Sequence, residues 1–391
     1  MRRELERVPI PGADQTERDA WLVIGRAYAE REPRPLPSQH RRRAAIVFAV
    51  AVVALVVVTV SPAGSGLVRT VRQAVGLPAA VPALTQLPAP GRLLVSSLEG
   101  PWIVQQDGSK RLLGGYQQAS WSPHGLFVAV TTRHQLLAVD PHGRVRWALT
   151  RPGPISLPRW SPDGYRVAYF DGTQLRIING DGTGDHPQPG TAARVAPAWR
   201  PTSGHDHTLA YVLAFKEHSR ERTRLVVSNI DTHQLDANES LPAIPSMLLW
   251  SSDGQRLVAV SEHALSVFNG RGKPLTTIHL ADRPVAATFA PHGHRLAVIL
   301  AGSREATVIY NVDHPARQAQ EIFDGAGHFT GIAWSPDGAW LLLAWRSANQ
   351  WLFIHLPPAQ QLTAVSAIAT QFNPGRHDVS FPVLNGWCCS P

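Results

Sequence analysis

Six times in this chain an aromatic residue opens a short turn that ends in glycine, and an aliphatic, strand-like run follows each copy. The copies are Trp121-Ser-Pro-His-Gly125, Trp160-Ser-Pro-Asp-Gly164, Trp199-Arg-Pro-Thr-Ser-Gly204, Trp250-Ser-Ser-Asp-Gly254, Phe289-Ala-Pro-His-Gly293 and Trp334-Ser-Pro-Asp-Gly338. From first residue to first residue the spacings are 39, 39, 51, 39 and 45. A period near 40 with several strands per unit predicts an all-β fold, a β-propeller, and makes one domain of a length that would otherwise suggest two.

Each unit repeats one grammar. After the turn comes an apolar strand such as Tyr165–Phe170 or Trp340–Trp345, then a second such as Gln174–Ile178. Pairs such as His142-Gly143 and Asp181-Gly182 supply hairpin turns. In the motif, the aromatic is expected to pack between neighbouring units, and the proline presets φ. Asp or His accepts local backbone bonds, and glycine takes the positive φ. Asp163, Asp253 and Asp337 therefore read as turn carboxylates rather than catalysts. Phe372-Asn-Pro-Gly375 reads as a worn seventh copy, and a strand near Val379 to Val383 as the one that closes the ring. Seven blades are expected, with six as the alternative if terminal units merge.

Trp-Ser-Pro-Asp-Gly followed by an apolar strand resembles the repeat of TolB-like propellers, the WD40-like or PD40 class. The resemblance covers about residues 89–375 and is greatest to membrane-anchored bacterial members. His124 and His292 depart from the usual Asp, and the Trp199 copy carries an extra residue. Residues 1–88 have no counterpart in TolB. The resemblance implies a binding platform and brings no catalytic residues with it.

Ala44 to Val60 is an uncharged, apolar run of 17 residues, and the next charge is Arg69. That is enough to span a bilayer as a helix. Arg41, Arg42 and Arg43 precede it directly, so the N-terminus is expected in the cytoplasm and everything beyond residue 61 outside. A cleaved signal peptide is the competing reading, but 43 residues ahead of the run are too many for an ordinary signal sequence. The expected layout is a cytoplasmic segment at 1–43, a signal anchor at 44–62, a Pro-rich spacer at 63–90 and a propeller at 91–391.

Within the cytoplasmic segment, residues 16–31 read as one helix capped by Asp14 or Thr16. Trp21, Ile24 and Tyr28 fall on one face of it, a stripe suited to docking a cytoplasmic regulator or to lying on the membrane surface.

The formal charge of +8 matters only by its distribution. Residues 1–43 hold 10 Arg and 7 acidic residues; the remainder holds 27 basic and 22 acidic, with no basic run inside the repeats. A nucleic-acid partner is not expected. Cys388 and Cys389, the sole cysteines, build neither a disulfide framework nor a zinc site. They read as two soft residues ending a strand, with a vicinal disulfide as the other option.

No Gly-x-Ser-x-Gly elbow, P-loop or dinucleotide fingerprint occurs. Asn179-Gly-Asp181-Gly-Thr183-Gly-Asp185 alternates oxygen ligands with glycine but lacks the distal Glu of a calcium loop. His205-Asp-His207 offers two imidazoles and no third ligand. No cofactor, metal site or enzymatic activity is therefore expected. The leading expectation is a single-pass membrane protein whose propeller binds an envelope protein or a glycan on a face where loops converge around the central channel. The alternatives are a transmembrane, anti-sigma-like regulator working through Trp21, Ile24 and Tyr28, and a metal-dependent hydrolase or lactonase of propeller type.

Overall fold

A computed structural model describes residues 83–201, 206–217, 220–356, 361–375 and 379–389. The chain divides at Val57/Val58, and every described residue belongs to the second unit. The expected membrane span, the cytoplasmic helix with Trp21, Ile24 and Tyr28, and most of the spacer lie outside the described residues. Among the described residues no helix is long and apolar enough to cross a membrane.

The described strands form seven four-stranded antiparallel sheets, the seven expected blades. The first strands of blades 1 to 6 are Gln118–Trp121, Ile155–Trp160, Ala198–Trp199, Met247–Trp250, Arg283–Phe289 and Phe329–Trp334. Val383–Cys388 serves as the first strand of blade 7. These strands touch one another in order around the whole ring, so they are innermost and the ring is closed. Second strands are apolar throughout because neighbouring blades cover both their faces: Val167 to Phe170 and Leu341 to Ala344 are all buried. Outermost strands such as Val145–Thr150 alternate between exposed and half-buried residues.

Cores lie between blades, one apolar cluster or more at each boundary. Ala129, Leu136, Trp160 and Tyr169 belong to the cluster between blades 1 and 2. The motif aromatic enters such a cluster and also hydrogen-bonds across the boundary. Trp199 Nε1 donates to the Arg159 carbonyl (2.9 Å), Trp250 Nε1 to Ala198 (3.0 Å) and Trp334 Nε1 to Thr288 (3.2 Å). Each acceptor immediately precedes the aromatic of the blade before. The turn carboxylates behave as read: Ser161 Oγ and the Tyr165 N–H both donate to Asp163 Oδ1, and Ser251–Asp253 and Ser335–Asp337 repeat the pattern.

Closure differs from expectation. Phe372 is fully buried beside the short helix Ile368–Gln371, edge-on to Trp102 and tilted on Trp351, and opens no blade turn. The seventh aromatic is Trp387, on a closing strand that begins where the expected one ends. That strand pairs with Arg92–Ser97, with Leu93 opposite Trp387. Its turn is made from both ends of the propeller: Trp387 Nε1 donates to the Pro90 carbonyl (3.1 Å), and Gly91 has φ +111°. A Cβ there would stand 2.8 Å from the Cys388 carbonyl oxygen, which excludes larger residues. A contiguous motif search misses this copy because its two halves lie at opposite ends of the repeat region.

Two further readings change. Cys388 and Cys389 are joined as a vicinal disulfide rather than lying as two unpaired residues. The end of the Pro-rich stretch is also drawn into the propeller. Leu84, Leu87 and Ala89 are buried in the cluster between blades 6 and 7, since apolar residues beside an open seam gain more by covering it than by remaining in water.

Candidate functional site

The turns joining first to second strands and third to fourth strands share one face, because the pairing is antiparallel throughout. On that face the four successive boundaries from 1/2 to 4/5 are of two kinds. Boundary 2/3 is closed by four polar side chains. Asp163 in the blade 2 turn meets His207 Nε2 at 2.7 Å, and His207 Nδ1 contacts Asp231 after the third strand of blade 3. Arg166, at the start of the second strand of blade 2, donates from Nε and Nη2 to Asp231 Oδ1 (3.2 and 3.1 Å).

Boundary 4/5 repeats the arrangement. His294 Nε2 lies 2.8 Å from Asp253 Oδ2, its Nδ1 lies 2.5 Å from Asp313 Oδ2, and Arg256 Nε donates to Asp313 Oδ1 (2.7 Å). Burial pushes the Asp253 carboxyl up, but hydrogen bonds from Ser251, the Gln255 N–H and His294 outweigh it and hold its pKa at about 2. Burial likewise pulls the His294 imidazole down, and bonds to Asp313 and Asp253 carry it on balance above its usual value. The latch is an imidazole held between two carboxylates that favour its protonated form.

This assignment accounts for two patterns met in the sequence. His207 has both ring nitrogens committed to aspartates and is not half of a metal-binding pair. Asp185, at the end of the glycine-spaced run, takes ion pairs from Arg151 and Arg176 and a hydrogen bond from Tyr169, which leaves no calcium loop. Among the described residues no group of three or more His, Cys, Asp or Glu side chains is arranged to hold a metal ion.

At boundaries 3/4 and 1/2 the latch residues are replaced, and a cleft lies at each. At boundary 3/4, Thr208 stands at the arginine position and Arg271 at that of the second aspartate. A polar cleft of about 740 Å³ lies there, lined by Arg200, Asp206, Thr208, Asp236, Arg271 and Lys273 among others. Its charges are largely matched: Arg200 pairs with Asp206 and Asp236, and Lys273 with Glu239.

At boundary 1/2, Phe127 stands at the arginine position and Tyr165 at the histidine position. The result is a cleft of about 790 Å³ lined by Phe127, Trp147, Tyr165, Arg146, Arg166, Asn179 and Asp181, with Ala138, Gly164 and Gly180 between them. Phe127 stacks on Trp160 at 6.3 Å, which fixes one wall. Trp147 is fixed by its Nε1, which donates to the Gly180 carbonyl (2.8 Å). Its indole lies against Gly182 (φ +87°), where a Cβ would approach Cγ to 2.7 Å. Tyr165 is 55% exposed and gives the mouth an aromatic edge. Arg146 is paired with Asp140 (2.9 Å) and Arg166 with Asp231, so neither arginine brings an uncompensated charge.

The sequence reading did not single out Phe127, Trp147 or Tyr165. Aligning the blades column by column behind each turn glycine would have shown aromatics at two of the latch positions. Of the residues proposed from sequence for partner binding, Trp21, Ile24 and Tyr28 lie outside the described residues.

No protein-family model matches the chain, and no curated protein matches it in sequence. Solved structures do. Hydrazine synthase of Kuenenia stuttgartiensis aligns over 62% of this chain and 76% of its own, with 13% identity and a TM-score of 0.48. The Cps50 (Swd1) β-propeller domain of Myceliophteria thermophila aligns over 64% of this chain and 87% of its own, with 14% identity and a TM-score of 0.49. At such identities the likeness concerns fold alone. An all-β, seven-bladed propeller is what the strand topology itself establishes.

Proposed function

We propose that this chain is a membrane-tethered, TolB-like propeller that acts as a binding platform outside the cytoplasm, with an envelope protein or glycan as its ligand and no chemistry of its own. The apolar run at 44–60 with three arginines before it supports the tether and its orientation. The observation that carries the binding role is the cleft between blades 1 and 2. A boundary that elsewhere on the same face is sealed by a charged latch is here lined with aromatic side chains, at some cost in exposed apolar surface. Concave sites with aromatic walls and a few polar groups at the rim are where propeller-sized scaffolds bind ligands.

The test is photo-crosslinking in cells. A crosslinking amino acid is placed at Tyr165, and in a second strain at Trp21, in the full-length protein, and adducts are identified by mass spectrometry. Envelope components captured from Tyr165 support the platform. Adducts confined to Trp21 and to cytoplasmic regulators would replace it with a signalling role for the N-terminal helix.

A further inference from the structure

We infer that the cleft between blades 1 and 2 binds a neutral saccharide chain, with pyranose rings stacked on its aromatic walls. This rests on the platform reading and narrows its ligand to one chemical class. Three features of the cleft select that class.

The first is shape and surface. Phe127, Trp147 and Tyr165 contribute flat rings from two blades, and two of the three are held in place: Phe127 on Trp160, Trp147 on Gly182 and the Gly180 carbonyl. Held rings are pre-organised, so a ligand does not have to order them. A pyranose presents C–H groups on its faces and hydroxyls around its edge, which matches ring walls with a polar rim.

Charge is the second. Arg146 and Arg166 are neutralised by Asp140 and Asp231, aspartates that are not among the lining residues. An anionic ligand would have to compete with those aspartates for its cations. A neutral ligand keeps both pairs and still meets their N–H edges, together with Asn179 and Asp181, as hydrogen-bond partners for hydroxyls.

The third is the main chain on the blade 2 side of the cleft. The indole N–H of Trp147 and the carbonyl of Gly180 satisfy each other across the boundary. Beside the cleft, the outermost strand of blade 2 is the two-residue His186–Pro187, and its proline has no N–H to offer. A peptide bound as an added strand lacks a ladder on that side, and the outer edge of Val145–Thr150 on the blade 1 side is what the peptide rival below tests. The volume, about 790 Å³, suits a short oligosaccharide segment.

The experiment uses the full-length chain in lipid nanodiscs and saturation-transfer NMR. The probes are maltotriose, mannotriose and N-acetylchitotriose, with a proline-rich decapeptide as rival. At least one trisaccharide is expected to bind, with transfer strongest at ring C–H protons. Tyr165→Ala, an exposed position, and Trp147→Ala are each expected to weaken it by about tenfold, while Leu275→Ala in blade 4 leaves it unchanged. Failure of all three trisaccharides to bind overturns the inference, as does binding that neither cleft variant weakens. If the decapeptide binds in a Tyr165-dependent way and the sugars do not, the saccharide assignment falls and the platform stands. If nothing binds and the Tyr165 crosslinker captures no envelope component, both fall.

Discussion

His294 of blade 5 reaches across the blade boundary to within 2.8 Å of Asp253 of blade 4, while its other nitrogen is held by Asp313 of its own blade. One imidazole thereby ties together a first-to-second-strand turn and a third-to-fourth-strand turn on different sheets. Its protonation is coupled to the integrity of that boundary.

The pH dependence follows from the direction of each shift. The His294 pKa is raised above 6.5, so its contribution is complete below that value and is lost as pH rises through the higher folded pKa. Asp253 is lowered from 3.8 to about 2, so its contribution is present above 3.8 and is lost as pH falls toward 2. Removing the latch by His294→Leu should therefore cost most stability between these limits and little at alkaline pH. Because the Asp253 side chain is 47% exposed, the cost is screened, and about 1 kcal/mol is expected. Thermal melts of both proteins from pH 3 to 10 give the comparison; a difference that does not vary with pH would mean the ion pairs contribute nothing.

The 2/3 latch is the more buried of the two, with the His207 side chain 5% exposed. His207→Ala leaves Asp163 and Asp231 facing a void without their shared partner, and a loss of about 3 kcal/mol is expected. Adding Asp163→Ala should recover part of that loss. In a double-mutant cycle by urea unfolding, a coupling energy of about 1–3 kcal/mol is anticipated, and strict additivity would show that the two residues do not act together.

At the seam, Trp387→Ala removes a buried aromatic together with its bond to Pro90 and should destabilise by about 3–5 kcal/mol. Gly91→Ala should also be harmful, although it adds one methyl group, because the backbone at φ +111° has no room for it. Gly375→Ala is the control: that glycine also has positive φ, but no atom lies within 4 Å of where its Cβ would stand. Melting temperatures should fall further for Gly91→Ala than for Gly375→Ala, and equal shifts would remove the seam contact from the account.

In the aromatic cleft, Gly182→Ala forces a Cβ toward the Trp147 ring. A loss of about 1–3 kcal/mol is expected, along with displacement of the indole from the Gly180 carbonyl. Hydrogen exchange at the 179–183 turn should accelerate in the variant, and unchanged exchange would show that Trp147 is not held by this contact.

Fold was legible in the sequence to the extent that its signals were contiguous. Trp160-Ser-Pro-Asp-Gly164 announces a turn, a buried aromatic and a following strand with five neighbouring letters, and all three are present. Trp387 was not legible as a motif residue because the residues it meets, Pro90 and Gly91, stand at the other end of the propeller, and only pairing of Arg92–Ser97 with the closing strand unites them. Phe372 was misread for the converse reason: an aromatic near Pro-Gly satisfies the local pattern, while its burial against Trp102 and Trp351 is a tertiary matter. The latches were half visible. Asp163 and Asp253 were assigned to turns, which is one of their two duties; the other depends on which residue the next blade presents, and histidine stands there in His207 and His294 but not in Tyr165, Gln255 or Ala339.

The seam also dictates when this protein can finish folding. Arg92–Ser97 is made before every other propeller strand, yet its inner partner, Val383–Cys388, is made after all of them, and the Pro90–Trp387 bond spans 297 positions. Six blades can assemble as they leave the ribosome, but the seventh waits with one edge uncovered until Val383–Cys388 has been made. A chain broken off before Val383 would be an open ring with an unsatisfied strand edge, a ready target for quality-control proteases.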